Sequence, residues 1–128
     1  MRAKILVVDD HPTNLKLVSD ILEFEGYEIL HAVDAEAAQA VLTVTLPDLI
    51  LMDIALPGMD GLTLTRLFKA DERTCPVRIV ALTAFAMKGD EQKAFNAGCA
   101  GYITKPIDTR KFPAQVAAFL EGPPAKKR

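Results

Sequence analysis

Three short runs of the chain are apolar almost without interruption: KILVVD (4–9), DLILMD (48–53) and VRIVALT (77–83). A strand with one wet face alternates apolar and polar residues. Runs this continuous in Val, Ile and Leu predict strands buried on both faces, as in a parallel sheet covered by helices. Two weaker candidates, YEILHA (27–32) and AGYITK (100–105), bring the expected number of strands to five.

The stretches between them carry helical spacing. Leu15, Val18 and Leu22, with Leu17, Ile21 and Phe24, recur every three or four residues behind Pro12 and ahead of Gly26, which predicts a first helix. Asp34 is placed to cap a second through AEAAQAVLTV. Asp60 is placed to cap a third that turns Leu64, Leu67 and Phe68 inward and Thr63, Arg66 and Lys69 outward. KGDEQKAFNAG (88–98) reads as a polar fourth helix ending at Gly98, and Phe112, Val116, Phe119 and Leu120 as the stripe of a fifth. Pro113 lies too deep for a helix capped at Asp108 or Thr109, so the fifth helix is expected to start late or with a distorted turn.

Strict alternation of strand and helix predicts an α/β fold, a (βα)5 doubly wound five-stranded parallel sheet. At 128 residues one domain is expected, over 1–121, with 122–128 (GPPAKKR) as a flexible C-terminal tail. A net charge of -2 with a quarter of the residues charged argues against direct nucleic-acid binding. No apolar run spans a bilayer and the N-terminus lacks a signal-peptide pattern, so no membrane association and a cytoplasmic location are expected. Cys75 and Cys99 stand in no metal-binding spacing and are read as packing residues. His11 and His31 have no ligand partner at metal spacing and are read as surface or strand-end residues.

In open sheets of this kind ligands bind beyond the carboxyl ends of the strands. There the chain places Asp9 and Asp10 after the first strand, Asp53 after the third, Thr83 after the fourth and Lys105 before Pro106 after the fifth. Singly, each has a plain structural explanation: a turn or capping aspartate, a β-forming threonine, a solvated lysine. Together they form one group. Carboxylates crowded at one edge resist ionising unless a cation neutralises them, and hard oxygen donors suit Mg²⁺, with Mn²⁺ as a substitute. A hydroxyl and an ammonium beside them suit a phosphoryl group, and a carboxylate is a competent nucleophile for one. Which carboxylate attacks is left open by the charges alone.

The motifs VVDD, LILMDIALPGMDG, ALTAFA and YITKP, in this order and covering nearly the whole chain, resemble the receiver domain of response regulators in two-component systems, the CheY-like superfamily. LTAFAMKGDEQKAFNAGCAGYITKPI is similar to DivK-type single-domain regulators. The resemblance implies a flavodoxin-like, CheY-like sheet of strand order 2-1-3-4-5. It implies that Asp53 accepts a phosphoryl group from a phosphohistidine of a histidine kinase or histidine phosphotransfer protein. Asp9, Asp10, Asp53 and the Ala55 carbonyl would hold Mg²⁺, Thr83 and Lys105 would read the phosphoryl group, and Tyr102 would follow Thr83 as a switch. A cis peptide bond is implied before Pro106. A downstream protein would bind the face formed by the fourth helix, fifth strand and fifth helix, with the chain a monomer or a phosphorylation-dependent dimer. Such a domain catalyses only its own phosphorylation and dephosphorylation, so it is not an enzyme in the ordinary sense.

Other readings are a receiver belonging to a hybrid histidine kinase or larger regulator, a haloacid-dehalogenase-like phosphatase, and a flavodoxin-like cofactor binder. VVDDHP lacks the DxD motif of the phosphatase, and the first βα loop lacks the Ser, Thr and Gly of a phosphate cradle. The resemblance also implies that Ala55 and Phe85, each two residues beyond a site position, flank the path of a hydrolytic water, and neither side chain can orient water by hydrogen bonding. Ala55→Asn and Phe85→Glu are therefore expected to change the lifetime of the phosphoryl group; unchanged decay rates in both variants would reject these two positions as tuning sites.

Overall fold

The computed structural model of the chain describes residues 3–84 and 89–121. Five strands, β1 (Lys4–Val8), β2 (Glu28–Ala32), β3 (Leu49–Asp53), β4 (Arg78–Thr83) and β5 (Gly101–Thr104), alternate with five helices. The helices are α1 (Pro12–Phe24), α2 (Ala35–Val44), α3 (Gly61–Ala70), α4 (Asp90–Ala97) and α5 (Phe112–Glu121). All strand pairings are parallel, and the sheet order is β2-β1-β3-β4-β5. The chain thus winds outward in both directions from β1, and the reversal falls between β1 and β3. Among the described residues no helix is long and apolar enough to cross a membrane.

The uninterrupted apolar runs divide their side chains between two cores, because successive strand residues point to opposite faces. Leu6, Val8, Ile50, Met52, Ile79 and Ala81 pack against α2, α3 and α4. Ile5, Val7, Leu49, Leu51, Val80 and Leu82 pack against Val18 and Leu22 of α1 and Phe112 and Val116 of α5. Asp34 and Asp60 cap α2 and α3, accepting from the N–H groups of Ala37 and Thr63, each at 2.8 Å. Asp108 Oδ1 accepts from the N–H groups of Arg110 and Lys111, forming the irregular turn expected before α5 and leaving Pro113 near the helix start, where no intrahelical donor is required. Arg78 at the start of β4 donates through its guanidinium to the carbonyls of Phe119 and Leu120 near the end of α5.

Three expectations about helix faces change. In α1 the buried arc is Val18, Ser19 and Leu22 with Leu15 half-buried; Phe24 is 89% exposed and Leu17 is 39% exposed. At about 100° per residue Leu17 and Phe24 fall opposite that arc, so these two members of the second row are not core, while Ile21 packs partly buried against it. In α3, Leu67 is 45% exposed, and Thr65 is buried instead with its hydroxyl donating to the Gly61 carbonyl at 2.8 Å. Lys69 is not a free outward cation: its half-buried ammonium donates to the Cys75 and Val77 carbonyls at 2.9 and 2.6 Å. Phe85 and the segment 122–128 lie outside the described residues.

Gly61 joins the end of β3 to the start of α3. Its N–H donates to the Ile54 carbonyl at 2.8 Å, and a Cβ at this position would stand 2.2 Å from the carbonyl oxygen of Asp53. At Gly101 a Cβ would meet the Phe119 ring at 2.1 Å, but a half-buried ring can turn aside whereas backbone at a strand end cannot. Gly61→Ala is expected to destabilise the fold by about 1–3 kcal/mol and Gly101→Ala by less. Urea unfolding of both variants checks the order; an equal or smaller loss at Gly61 contradicts it.

Candidate functional site at the carboxyl edge of the sheet

Asp9 directly follows β1, Asp53 ends β3, Thr83 ends β4 and Lys105 directly follows β5. The Asp9 N–H donates to the Ala32 carbonyl at 3.0 Å, the Ile54 N–H to Leu82 at 3.1 Å and the Lys105 N–H to Thr83 at 2.7 Å. Each site residue is thus fixed to the neighbouring strand by the main chain at or beside it. Asp9, Asp53 and Thr83 are all buried.

The side chains of Asp9, Asp53 and Lys105 converge. Lys105 Nζ donates to Asp9 Oδ2 at 3.1 Å and stands 3.4 Å from Asp53 Oδ2. Asp9 has further donors in the His11 N–H, at 2.9 Å to Oδ1, and the Asn14 amide. Asp53 accepts at Oδ1 from the Ala55 N–H at 3.1 Å, while its Oδ2 is buried without a hydrogen-bond partner, as is Asp10 Oδ1. The Lys105 contact with Asp53 is therefore an ion pair in distance only, lacking hydrogen-bond geometry.

This unequal sharing separates the two buried acids. Burial pushes the Asp9 carboxyl up, but the His11 N–H, the Asn14 amide and Lys105 together outweigh it and hold Asp9 below its ordinary value of 3.8. Burial is also the largest influence on Asp53; Lys105 and the Ala55 N–H oppose it, the charge of Asp9 reinforces it, and the carboxyl stays above 3.8.

Asp9, Asp10, Asp53 and His11 each offer a ligand atom within 4.8 Å of all the others. Two buried carboxylate oxygens without hydrogen-bond donors, in a set rich in hard oxygen, fit a small divalent cation such as Mg²⁺. His11 is an exposed strand-end residue, as expected, but the approach of its imidazole to the carboxylates was not anticipated. Its Nδ1 lies 3.5 Å from Asp9 Oδ1 and 3.3 Å from Asp10 Oδ1. The available signal was its adjacency to the Asp pair, not a second histidine. His31, by contrast, stands apart and meets Ser19 Oγ at 2.8 Å. Asp10 does not cap α1; His11 occupies the N-cap position and makes no capping bond with its side chain.

Tyr102 is half-buried on β5, opposite Ala81 in register, and packs against the core beneath α2 to α4 rather than joining the acidic cluster. Ala55 meets the site through its N–H, and its side chain is exposed. The Lys105–Pro106 peptide bond is cis. Cys75 is exposed and Cys99 buried, both as free thiols. A groove of about 580 Å³ opens beside the carboxylates, with Leu17, Ala84 and Pro106 in its wall next to His11, Asn14 and Lys105, so the partly exposed Leu17 faces the groove.

Residues 5–117 match the family profile described as the response regulator receiver domain. The chain is 39% identical over 120 residues to the polar-differentiation response regulator DivK of Brucella ovis, covering 94% of this chain and 98% of that protein. It resembles the crystal structure of the receiver domain of a sensor histidine kinase from Pseudomonas aeruginosa, which has a magnesium ion coordinated in its active site cleft. That match has a TM-score of 0.84 at 32% identity and covers 94% of this chain and 98% of the other. The chemotaxis response regulator CheY4 of Vibrio cholerae superposes with a TM-score of 0.86 at 26% identity, over 91% and 98% of the two chains.

The raised Asp53 carboxyl carries a sign for stability. The folded state keeps this proton to higher pH than the unfolded chain, so without a cation Asp53 weakens the fold as pH rises through its folded value. With chelator present at neutral pH, Asp53→Asn is expected to raise the unfolding midpoint by about 4 °C, equivalent to roughly 1 kcal/mol. The gain should shrink on acidification, as wild-type Asp53 becomes protonated. Thermal melts across that range check it, and a lower midpoint for the variant at neutral pH contradicts it.

Proposed function

Because this chain belongs to the response regulator receiver domain family, we propose that it accepts a phosphoryl group on Asp53 from a phosphohistidine of a histidine kinase or phosphotransfer protein, and signals by binding a partner. The observation that carries the choice of Asp53 is its unequal environment. Its Oδ2 is buried, accepts no hydrogen bond and faces the Lys105 ammonium at 3.4 Å, whereas Asp9 is tied down by three donors. An oxygen that accepts no hydrogen bond keeps a lone pair available to attack phosphorus, whereas both Asp9 oxygens are engaged.

In the transfer, an Asp53 carboxylate oxygen forms a bond to phosphorus as the phosphorus–nitrogen bond of the donor breaks. The electron pair stays on the imidazole nitrogen, which takes up a proton. Lys105 can follow the charge from the carboxylate to the phosphoryl oxygens, and the Thr83 hydroxyl supplies a donor at the end of the next strand. Asp9, Asp10 and Asp53 with the Ala55 carbonyl would hold Mg²⁺, which when bound neutralises the carboxylates and phosphoryl oxygens. Water attack on the same phosphorus returns the carboxylate and releases phosphate. The groove along Leu17 and Pro106 admits the donor imidazole from the α1 side.

Phosphorylation adds about 1.5 to 2 negative charges and three acceptor oxygens. These draw on Thr83 and Lys105, which flank β5 and Tyr102, so the α4, β5 and α5 face is the readout surface of this proposal. The similarity to a receiver carried by a histidine kinase supports the second reading, in which the same chemistry serves a larger regulator.

Incubation with Mg²⁺ and a small-molecule phosphodonor is expected to add one phosphoryl group to the wild type and none to Asp53→Ala, as read by intact mass. Equal labelling of both, or none of the wild type where a control receiver is labelled, rejects the assignment.

A further inference from the structure

Resting on the reading of Asp9, Asp10 and Asp53 as a divalent-ion site, we infer that the His11 imidazole is a further ligand of that site through Nδ1, so that the site takes Ni²⁺, which favours imidazole, as well as the oxygen-preferring Mg²⁺ and Mn²⁺. Distance is the first argument. Cis ligands on an octahedral ion with bonds of about 2.1 Å lie roughly 3.0 Å apart, and trans ligands about 4.2 Å. His11 Nδ1 stands 3.3 Å from Asp10 Oδ1 and 3.5 Å from Asp9 Oδ1, nearer the cis spacing and inside the trans limit; the wider set with Asp53 spans up to 4.8 Å, so a small inward turn of a side chain closes it on one ion.

The second argument is what these atoms do not do. Asp10 Oδ1 is buried without a hydrogen-bond partner despite the imidazole nitrogen beside it, and Asp53 Oδ2, on a side chain only 3% exposed, accepts no hydrogen bond and has only the Lys105 ammonium at 3.4 Å as a counter-charge. Donor atoms that face one another without bonding can share a third party. Third, His11 occupies the N-cap of α1, a position that favours Ser, Thr, Asp or Asn, yet its side chain caps nothing. The helix gains nothing from an imidazole there, whereas an ion held by the carboxylates does.

The competing role for His11 is that of a simple counter-charge. A charge acts on every divalent ion alike, whereas an imidazole ligand separates them along the order Mg²⁺ < Mn²⁺ < Ni²⁺, because the nitrogen donor favours the later ions. The two roles therefore differ in selectivity rather than in affinity for any one metal.

Calorimetric titration of Mg²⁺, Mn²⁺ and Ni²⁺ into the wild type, His11→Ala, His31→Ala and Asp10→Asn, with competition between ions to establish one shared site, tests the inference. His11→Ala is expected to weaken Ni²⁺ binding about tenfold or more while leaving Mg²⁺ within about twofold, and His31→Ala to change neither. Mn²⁺ bound to the wild type should show a nitrogen hyperfine coupling in pulsed electron paramagnetic resonance that His11→Ala removes. A common shift for all three ions, unchanged Ni²⁺ affinity or an absent nitrogen coupling overturns the inference. If Mg²⁺ fails to bind the wild type, or binds Asp10→Asn equally well, the carboxylate site itself is rejected. That outcome removes the inference together with the site it rests on, whereas Mg²⁺ binding that depends on Asp10 with Ni²⁺ binding that ignores His11 rejects the His11 ligation alone.

Discussion

Two buried carboxylates share one ammonium. Asp9 and Asp53 both face Lys105, at 3.1 and 3.4 Å, and a single positive charge cannot fully compensate two negative ones in a medium poorer in water than the surface. The division is unequal, because Asp9 also receives the His11 N–H and the Asn14 amide. Asp53 has the Ala55 N–H and an oxygen that nothing bonds. The opposite pKa directions of the two acids, and the chemical availability of Asp53, follow from that division.

The scaffold is built to keep this imbalance in place. Neighbouring strands lie about 4.8 Å apart, so β5 and β3 are separated by two such steps, with β4 between them. A charge from the β5 end needs a long stem to reach Asp53, and lysine has one. Its backbone is held by the Thr83 carbonyl at 2.7 Å, and the β4 residue beneath it is a small threonine. On the other side of Asp53, Gly61 lets α3 begin against the Asp53 carbonyl where any Cβ would collide. Strand apolarity, strand register and one missing side chain together position a single carboxylate.

The parallel sheet and the two capping aspartates were legible because buried parallel strands, caps and terminal glycines leave strong local patterns; the order of the strands came only from the resemblance of the motifs to a known family. The limits of the apolar stripes were not. Leu17, Phe24 and Leu67 carry helical spacing, yet that spacing alone does not say which of two adjacent rows meets the sheet, and the packing of Val18, Leu22 and Thr65 decides it. The acidic edge was legible from strand ends, since Asp9, Asp10, Asp53 and Lys105 each follow a recognisable run. His11 and Asn14 were not, because their approach to Asp9 depends on how the first turn of α1 leaves β1. The different environments of Asp9 and Asp53, identical as residue types, belong to three-dimensional placement alone.

The shared ammonium also makes the two acids thermodynamically linked. Anything that draws Lys105 toward Asp53 leaves Asp9 less neutralised, and anything that neutralises Asp9 from elsewhere frees Lys105 for Asp53. A cation at Asp9 and Asp10 and a new anionic group on Asp53 would then raise or lower each other's binding free energy by the same amount, as reciprocity requires. One flexible side chain between two strands thus ties the charge on one side of the sheet's switch point to the charge on the other.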